Sequence, residues 1–156
     1  MDDWGTPKAF FEWLTNKYDI VCDLAATKEN KLCKKFISPE KNSLISDWGK
    51  YVKGDGQFGF CNPPYSEVAK FLYKAHMECH ENLVPSIFLV AARPGTNYWR
   101  NHVHGVAHVK FIIGRLKFEG AKDFAPFESA ILEYNPNRIG GYSFVELPSM
   151  VRGGKR

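Results

Sequence analysis

Phe58-Gly59-Phe60-Cys61-Asn62-Pro63-Pro64-Tyr65 is the stretch on which the rest of the chain turns. A short apolar run that meets two prolines reads as a strand that stops abruptly, because proline has no N–H with which to continue a ladder. Open α/β sheets place their ligands just beyond the carboxyl ends of strands, so chemistry is expected at residues 62–65. Asn62 offers an amide oxygen, and Pro63 offers a carbonyl but no donor. The pair makes a compact acceptor site that fits an exocyclic amine. Such an amine is a poor nucleophile because its lone pair is delocalised. Two acceptors pulling on its hydrogens favour a pyramidal, more reactive nitrogen, and Tyr65 could stack on the flat ring that carries it.

The flanks fit an alternating pattern. Gly54-Asp55-Gly56 is a turn signal ahead of the strand, and Ser66 can cap a helix carrying Val68, Phe71, Leu72 and Ala75. Upstream, Thr6 as cap and Pro7 at the first helical position predict a helix over about 7–18, with Phe10, Phe11, Trp13 and Leu14 on its apolar face. Ile20-Val21-Cys22 reads as a buried strand that leaves Asp23 at its carboxyl end. A helical turn over about 29–35 and a strand at Lys35-Phe36-Ile37 follow. Ile87-Phe88-Leu89-Val90-Ala91 looks like a fully buried parallel strand. Thr96 caps a short helix through Trp99, and strands at about 107–113, 128–134 and 142–146 complete the chain. Helices early and strands late predict an α/β fold with a mainly parallel sheet and an antiparallel C-terminal end.

At 156 residues and 44% hydrophobic, the chain supports one core, with a domain over 1–150 and a basic, flexible tail over 151–156. Its net charge of +4 permits an anionic partner without identifying one. No stretch reaches the roughly 18 apolar residues of a membrane span, and Met1-Asp2-Asp3-Trp4 does not read as a signal peptide. A soluble, cytoplasmic protein is expected. Four cysteines without a C-x-x-C pair read as reduced thiols. His76, Cys79 and His80 share a helical face at metal-ligand spacing, but a structural site needs a fourth ligand, and no metal is expected.

Read in order, Trp4-Gly5-Thr6-Pro7, Asp23-Leu24-Ala25-Ala26 with Asn30, Asp47-Trp48, Asn62-Pro63-Pro64-Tyr65-Ser66 and Gly114-Arg115-Leu116-Lys117-Phe118 form a set. It resembles the small phage-type DNA adenine-N6 methyltransferases over roughly residues 3–134. The resemblance implies a single Rossmann-like domain that uses S-adenosylmethionine, releases S-adenosylhomocysteine, and methylates N6 of an adenine flipped out of double-stranded DNA. It assigns the methionine part of the cofactor to Trp4, Thr6 and Pro7, its ammonium to Asp23, close backbone approach to Ala25, and the adenosine part to Asp47. Asn62, Pro63, Pro64 and Tyr65 become the catalytic loop, with Asn62 also touching the cofactor.

DNA contacts are expected from Tyr65, Arg93, Arg115, Lys117 and Phe118, the last stacking on the base opposite Tyr65, with Arg100 and Lys110 nearby. With so short a chain, sequence readout falls to loops at about 93–105 and 117–127, and a homodimer is left open. GATC is a family-level expectation for the target. Two features set alternatives. Leu-Ala-Ala-Thr-Lys follows Asp23 where many methyltransferases carry a glycine-rich loop, which argues against the protein-glutamine enzymes. Asn62 stands where many N4-cytosine enzymes carry Ser, so adenine is favoured over cytosine. A non-catalytic nucleic-acid-binding module on the same fold is the other alternative.

Overall fold

The computed structural model describes residues 1–153; residues 154–156 of the expected tail lie outside the described residues. Helix α1 spans Lys8–Thr15 and buries Phe10, Phe11 and Leu14. Eight residues are too few to hold a helix in water, so packing holds it. Each large apolar side chain taken from water contributes about 1.5–3 kcal/mol. Thr6 does not cap this helix: Pro7 stands at the cap position without a side-chain bond, and its carbonyl accepts from Phe11 N–H.

One sheet contains β1 (Asp19–Asp23), β2 (Gln57–Cys61), β3 (Ser86–Ala91), β4 (His108–Ile112), β5 (Ser129–Tyr134) and β6 (Tyr142–Val145). The strand order is β1-β2-β3-β5-β4-β6. β1, β2 and β3 run parallel, β5 is antiparallel to both β3 and β4, and β6 is parallel to β4. The expected mainly parallel sheet is present, and its antiparallel strand, β5, comes from the C-terminal part of the chain, but it lies inside the sheet between β3 and β4 and not at an edge. Local pattern gives a strand's existence; its place in the order depends on pairings between distant segments. Lys35-Phe36-Ile37 is not a strand either, and makes only a parallel bridge from Phe36 to Asp23.

Helices α2 (Val68–Asn82) and α3 (Asn97–His102) complete the set. Alternation along the strands divides the core between two faces. Phe60, Ile87, Leu89 and Ile131 lie with α1, whereas Cys61, Phe88, Val90 and Leu132 lie with α2 and α3. Thr96 caps α3 as expected, accepting from Trp99 N–H at 3.4 Å. Ser66 does not cap α2. A single 3-10 turn over Tyr65–Glu67 follows Pro64, and α2 begins only at Val68.

Because all strands but β5 point the same way, their carboxyl ends share one edge, at Asp23, Cys61, Ala91, Ile112 and Val145. The segments leaving that edge are those that the motifs singled out.

Candidate active site

A cavity of about 440 Å³ opens at this edge. It brings together Trp4, Thr6, Asp23, Ala25, Asn62 and Pro64 from three separate segments. Pro7, Asp47, Pro63 and Tyr65 are not among its lining residues, nor are Arg93, Arg115, Lys117 and Phe118. Its volume falls in the range of small-molecule sites.

Asp23 sits at the end of β1 with only 4% of its surface exposed. Its carboxylate accepts from the backbone N–H groups of Ala25 at 3.3 Å and Leu32 at 3.1 Å. Burial raises its pKa to about 6, against the pull of those two amides. A buried carboxylate held partly neutral is poised for a cation. The following loop holds its shape without glycine. Thr27 N–H donates to Asn30 Oδ1 at 2.7 Å, and Asn30 N–H donates to Thr27 Oγ1 at 3.2 Å. No residue between 24 and 41 takes a positive φ, so the conformational freedom of glycine is not required there.

The opposite wall comes from the segment through Ile37, Ser38, Asn42, Ser43 and Leu44, which sequence reasoning did not single out. Its only signal was turn chemistry around Ser38-Pro39. The segment is anchored from below: Trp48, fully buried, donates from Nε1 to Ser43 O and Oγ, both at 3.0 Å. Trp48 N–H donates to the buried Glu78 of α2 at 2.9 Å. Asp47 is exposed and accepts from Gly49 N–H at 3.0 Å, capping a 3-10 turn.

Asn62 Nδ2 donates to Thr6 Oγ1 at 3.1 Å. One amide hydrogen is thereby engaged, and this orientation leaves Asn62 Oδ1 as an acceptor. Asp2 reinforces the loop from outside, accepting from Ser66 N–H at 3.0 Å and Ser66 Oγ at 2.6 Å. Gly5 pairs with Glu119, so residues 1–6 tie the loop after β2 to the loop after β4. Cys61, just before Asn62, is fully buried, and burial raises its thiol well above the ordinary range, which keeps it protonated and unreactive.

Aromatic rings cluster beside the motif loop, next to Trp4 of the cavity lining. Phe127 packs edge-on to Tyr65 with centroids 5.4 Å apart. Phe118 stacks on Trp4 at 5.9 Å and meets Phe127 at 6.1 Å. Phe118 is buried against Trp4, and Phe127 is the ring beside Tyr65 that sequence reasoning missed. Arg93 and Lys117 are exposed at the same edge. Arg115 Nε lies 3.8 Å from Glu128 Oε2.

A family model described as DNA N-6-adenine-methyltransferase (Dam) matches residues 1–132. The chain belongs to that family. A DNA N-6-adenine-methyltransferase of Escherichia phage T1 is 40% identical over 84 residues, covering 52% of this chain and 32% of that protein. Another, from Haemophilus phage HP1 (strain HP1c1), is 36% identical over 76 residues, covering 47% of this chain and 40% of that protein. The matched stretches thus span well under half of either relative. In this Dam-family chain the match contains every motif residue described above from Trp4 to Phe118.

Elsewhere, His76, Cys79 and His80 do not converge. Cys79 is buried in the core, and His76 Nδ1 lies 3.1 Å from His102 Nδ1. Among the described residues no group of three His, Cys, Asp or Glu side chains is arranged to hold a metal ion. Among them, too, no helix is long and apolar enough to cross a membrane.

Proposed function

We propose that the protein transfers a methyl group from S-adenosylmethionine to N6 of adenine in double-stranded DNA, using one Rossmann-like domain over residues 1–150. The observation that carries this reading is the Asn62 amide, held by Thr6, lining the same cavity as the buried Asp23 carboxylate. The cavity suits the cofactor's chemistry: a buried carboxylate for an ammonium, hydroxyls and amides for a ribose, and apolar side chains at Ile37, Leu44, Phe60 and Phe71 for a purine. When bound, S-adenosylmethionine supplies an electrophilic methyl and a good leaving group.

The remaining work belongs to the chain. Asn62 Oδ1 and the Pro63 carbonyl accept the two N6 hydrogens and present the nitrogen lone pair toward the cavity. Tyr65 stacks on the extruded adenine, and Phe127 shifts from the Tyr65 ring to admit it. Base extrusion costs a few kcal/mol, offset by this stacking and by the hydrogen bonds. Rate enhancement comes chiefly from positioning. Burial keeps the Tyr65 hydroxyl protonated, so its ring acts as a surface and not as a base. Arg93, Arg115 and Lys117 meet DNA phosphates or base edges around this mouth. The setting is the cytoplasm of a phage-infected host.

Incubation with methyl-labelled S-adenosylmethionine and unmethylated duplex DNA, followed by nucleoside analysis, tests the proposal. Label in N6-methyladenine supports it. Label in N4-methylcytosine or in polypeptide moves the chain to another amine-methylating class, and an absence of cofactor-induced thermal stabilisation points to a binding module.

A further inference from the structure

The family match stops at residue 132, yet the chain continues through β6 and returns to the active edge. Leu147 and Val151 pack with Leu116 and Ile112, and a turn closes as Val151 N–H donates to Pro148 O at 2.9 Å. Lys117 N–H then donates to Arg152 O at 3.0 Å, which fastens residues 151–153 to the loop that leaves β4.

The arrangement around Gly114 is specific. Gly114 has φ +87°, and a Cβ placed on it would lie 2.6 Å from Arg152 Nη1. The backbone angle favours glycine there, and the absence of a side chain lets the guanidinium lie against the peptide. A second close approach lies nearby: Gly153 has φ +105°, and a Cβ on it would lie 2.7 Å from Lys117 Cβ. Arg152 Nε is buried without a hydrogen-bond partner, and among the described residues Arg152 makes no ion pair.

Arg115 and Lys117 thus belong to one loop, and Arg152 is fastened against it. Among the described residues the one carboxylate within ion-pair distance of any of them is Glu128, 3.8 Å from Arg115 and with its side chain 62% exposed. Among the described residues neither Lys117 nor Arg152 has a carboxylate within ion-pair distance, which leaves both cations open to an incoming anion.

We propose that Arg152, set against Gly114 beside Arg115, is a phosphate anchor for the DNA strand that enters this edge, supplied by a segment beyond the family match. The ligand class is a phosphodiester, which a guanidinium can grip with two parallel N–H donors where an ammonium cannot. The inference rests on the DNA-methylating reading of the same edge.

The test measures DNA binding by fluorescence anisotropy of a labelled duplex over a range of salt, for wild type, Arg152→Gln, Arg152→Lys and the double variant Arg115→Gln/Arg152→Gln. Losing one phosphate contact should reduce the slope of log K against log salt by about 0.9, and losing two by about 1.8. Arg152→Gln should weaken binding several-fold at low salt. Arg152→Lys should restore the slope but not the full affinity. Stabilisation by S-adenosylmethionine should persist in all of them, which also reports that each is folded. Wild-type slope and affinity in Arg152→Gln, in a protein that methylates DNA, would overturn this inference alone; so would a fall in melting temperature with the slope unchanged. Wild-type protein that binds cofactor but neither binds nor methylates DNA would overturn the functional reading with it.

Discussion

The Asn62 side-chain nitrogen donates to the Thr6 hydroxyl at 3.1 Å, joining residues 56 positions apart in the chain. In this orientation the amide nitrogen faces Thr6 and the amide oxygen faces away from it. Thr6 therefore meets Asn62 and does not cap α1, and on the proposed reading it holds the Asn62 oxygen ready for the target amine.

Replacing Thr6 by Val keeps the shape and removes the acceptor. Asn62 then loses its preferred orientation, and kcat should fall roughly tenfold or more, while Thr6→Ser should retain most activity. Steady-state kinetics on duplex DNA checks this, and equal kcat for the Val and Ser variants would contradict the positioning role.

Asp23 gives a pH dependence of definite sign. Burial raises its folded pKa from 3.8 to about 6, so between about 4 and 6 the folded protein holds a proton that the unfolded chain has released. Its contribution to stability is full below about 4 and is lost as pH rises through about 6. Affinity for a ligand ammonium runs the other way, because the ionised form is needed. S-adenosylhomocysteine should bind more weakly by about tenfold per unit below pH 6 and level off above pH 7. Calorimetric titration across that range reads it, and a flat profile would exclude Asp23 as the ammonium partner.

Gly59 lies beneath the loop that follows β1. A Cβ there would come within 2.7 Å of Leu24 Cδ1, and Leu24 N–H donates to Phe60 O at 2.8 Å. Gly59→Ala should cost about 1–3 kcal/mol by overpacking and displace the Asp23 loop, so cofactor affinity falls along with stability. Chemical denaturation and thermal shift with cofactor would show both changes together.

Tyr65 and Phe118 should separate cleanly. Tyr65→Phe keeps the ring and should retain methylation, whereas Tyr65→Ala should raise KM for DNA strongly, since stacking on a base contributes about 1–3 kcal/mol. Phe118 is buried against Trp4, so Phe118→Ala should lower stability by about 3–5 kcal/mol. A Phe118→Ala protein of unchanged stability would place that ring at the DNA instead.

Most strands, and the place of the Asn62 loop at a strand's carboxyl end, were legible because they are local. Apolar runs at 58–61 and 87–91 are ended by proline or followed by turn residues, and the acceptor pair at Asn62-Pro63 is a property of those residue types. What escaped depended on distant partners. The position of β5 inside the sheet is set by pairing with β3 and β4, and no local pattern encodes it. Thr6 carries a cap residue's chemistry, but its oxygen is taken by Asn62 across the fold. Asp47-Trp48 stood out as a pair, yet Trp48 does the structural work by holding Ser43, while Asp47 faces solvent. Phe127 and Arg152 gave no signal of their own, since each matters only through the ring or glycine that it meets.

The chemistry at Asn62 is most directly tested by methyl transfer from labelled S-adenosylmethionine to unmethylated duplex DNA, with wild-type and Asn62→Ala protein compared under cofactor saturation and the digested nucleosides separated. Wild type should place the label in N6-methyladenine. Asn62→Ala should be slower by on the order of 10²–10³-fold, while the cofactor still raises its melting temperature. Near wild-type transfer by the Asn62→Ala protein would show that this amide does not hold the target amine.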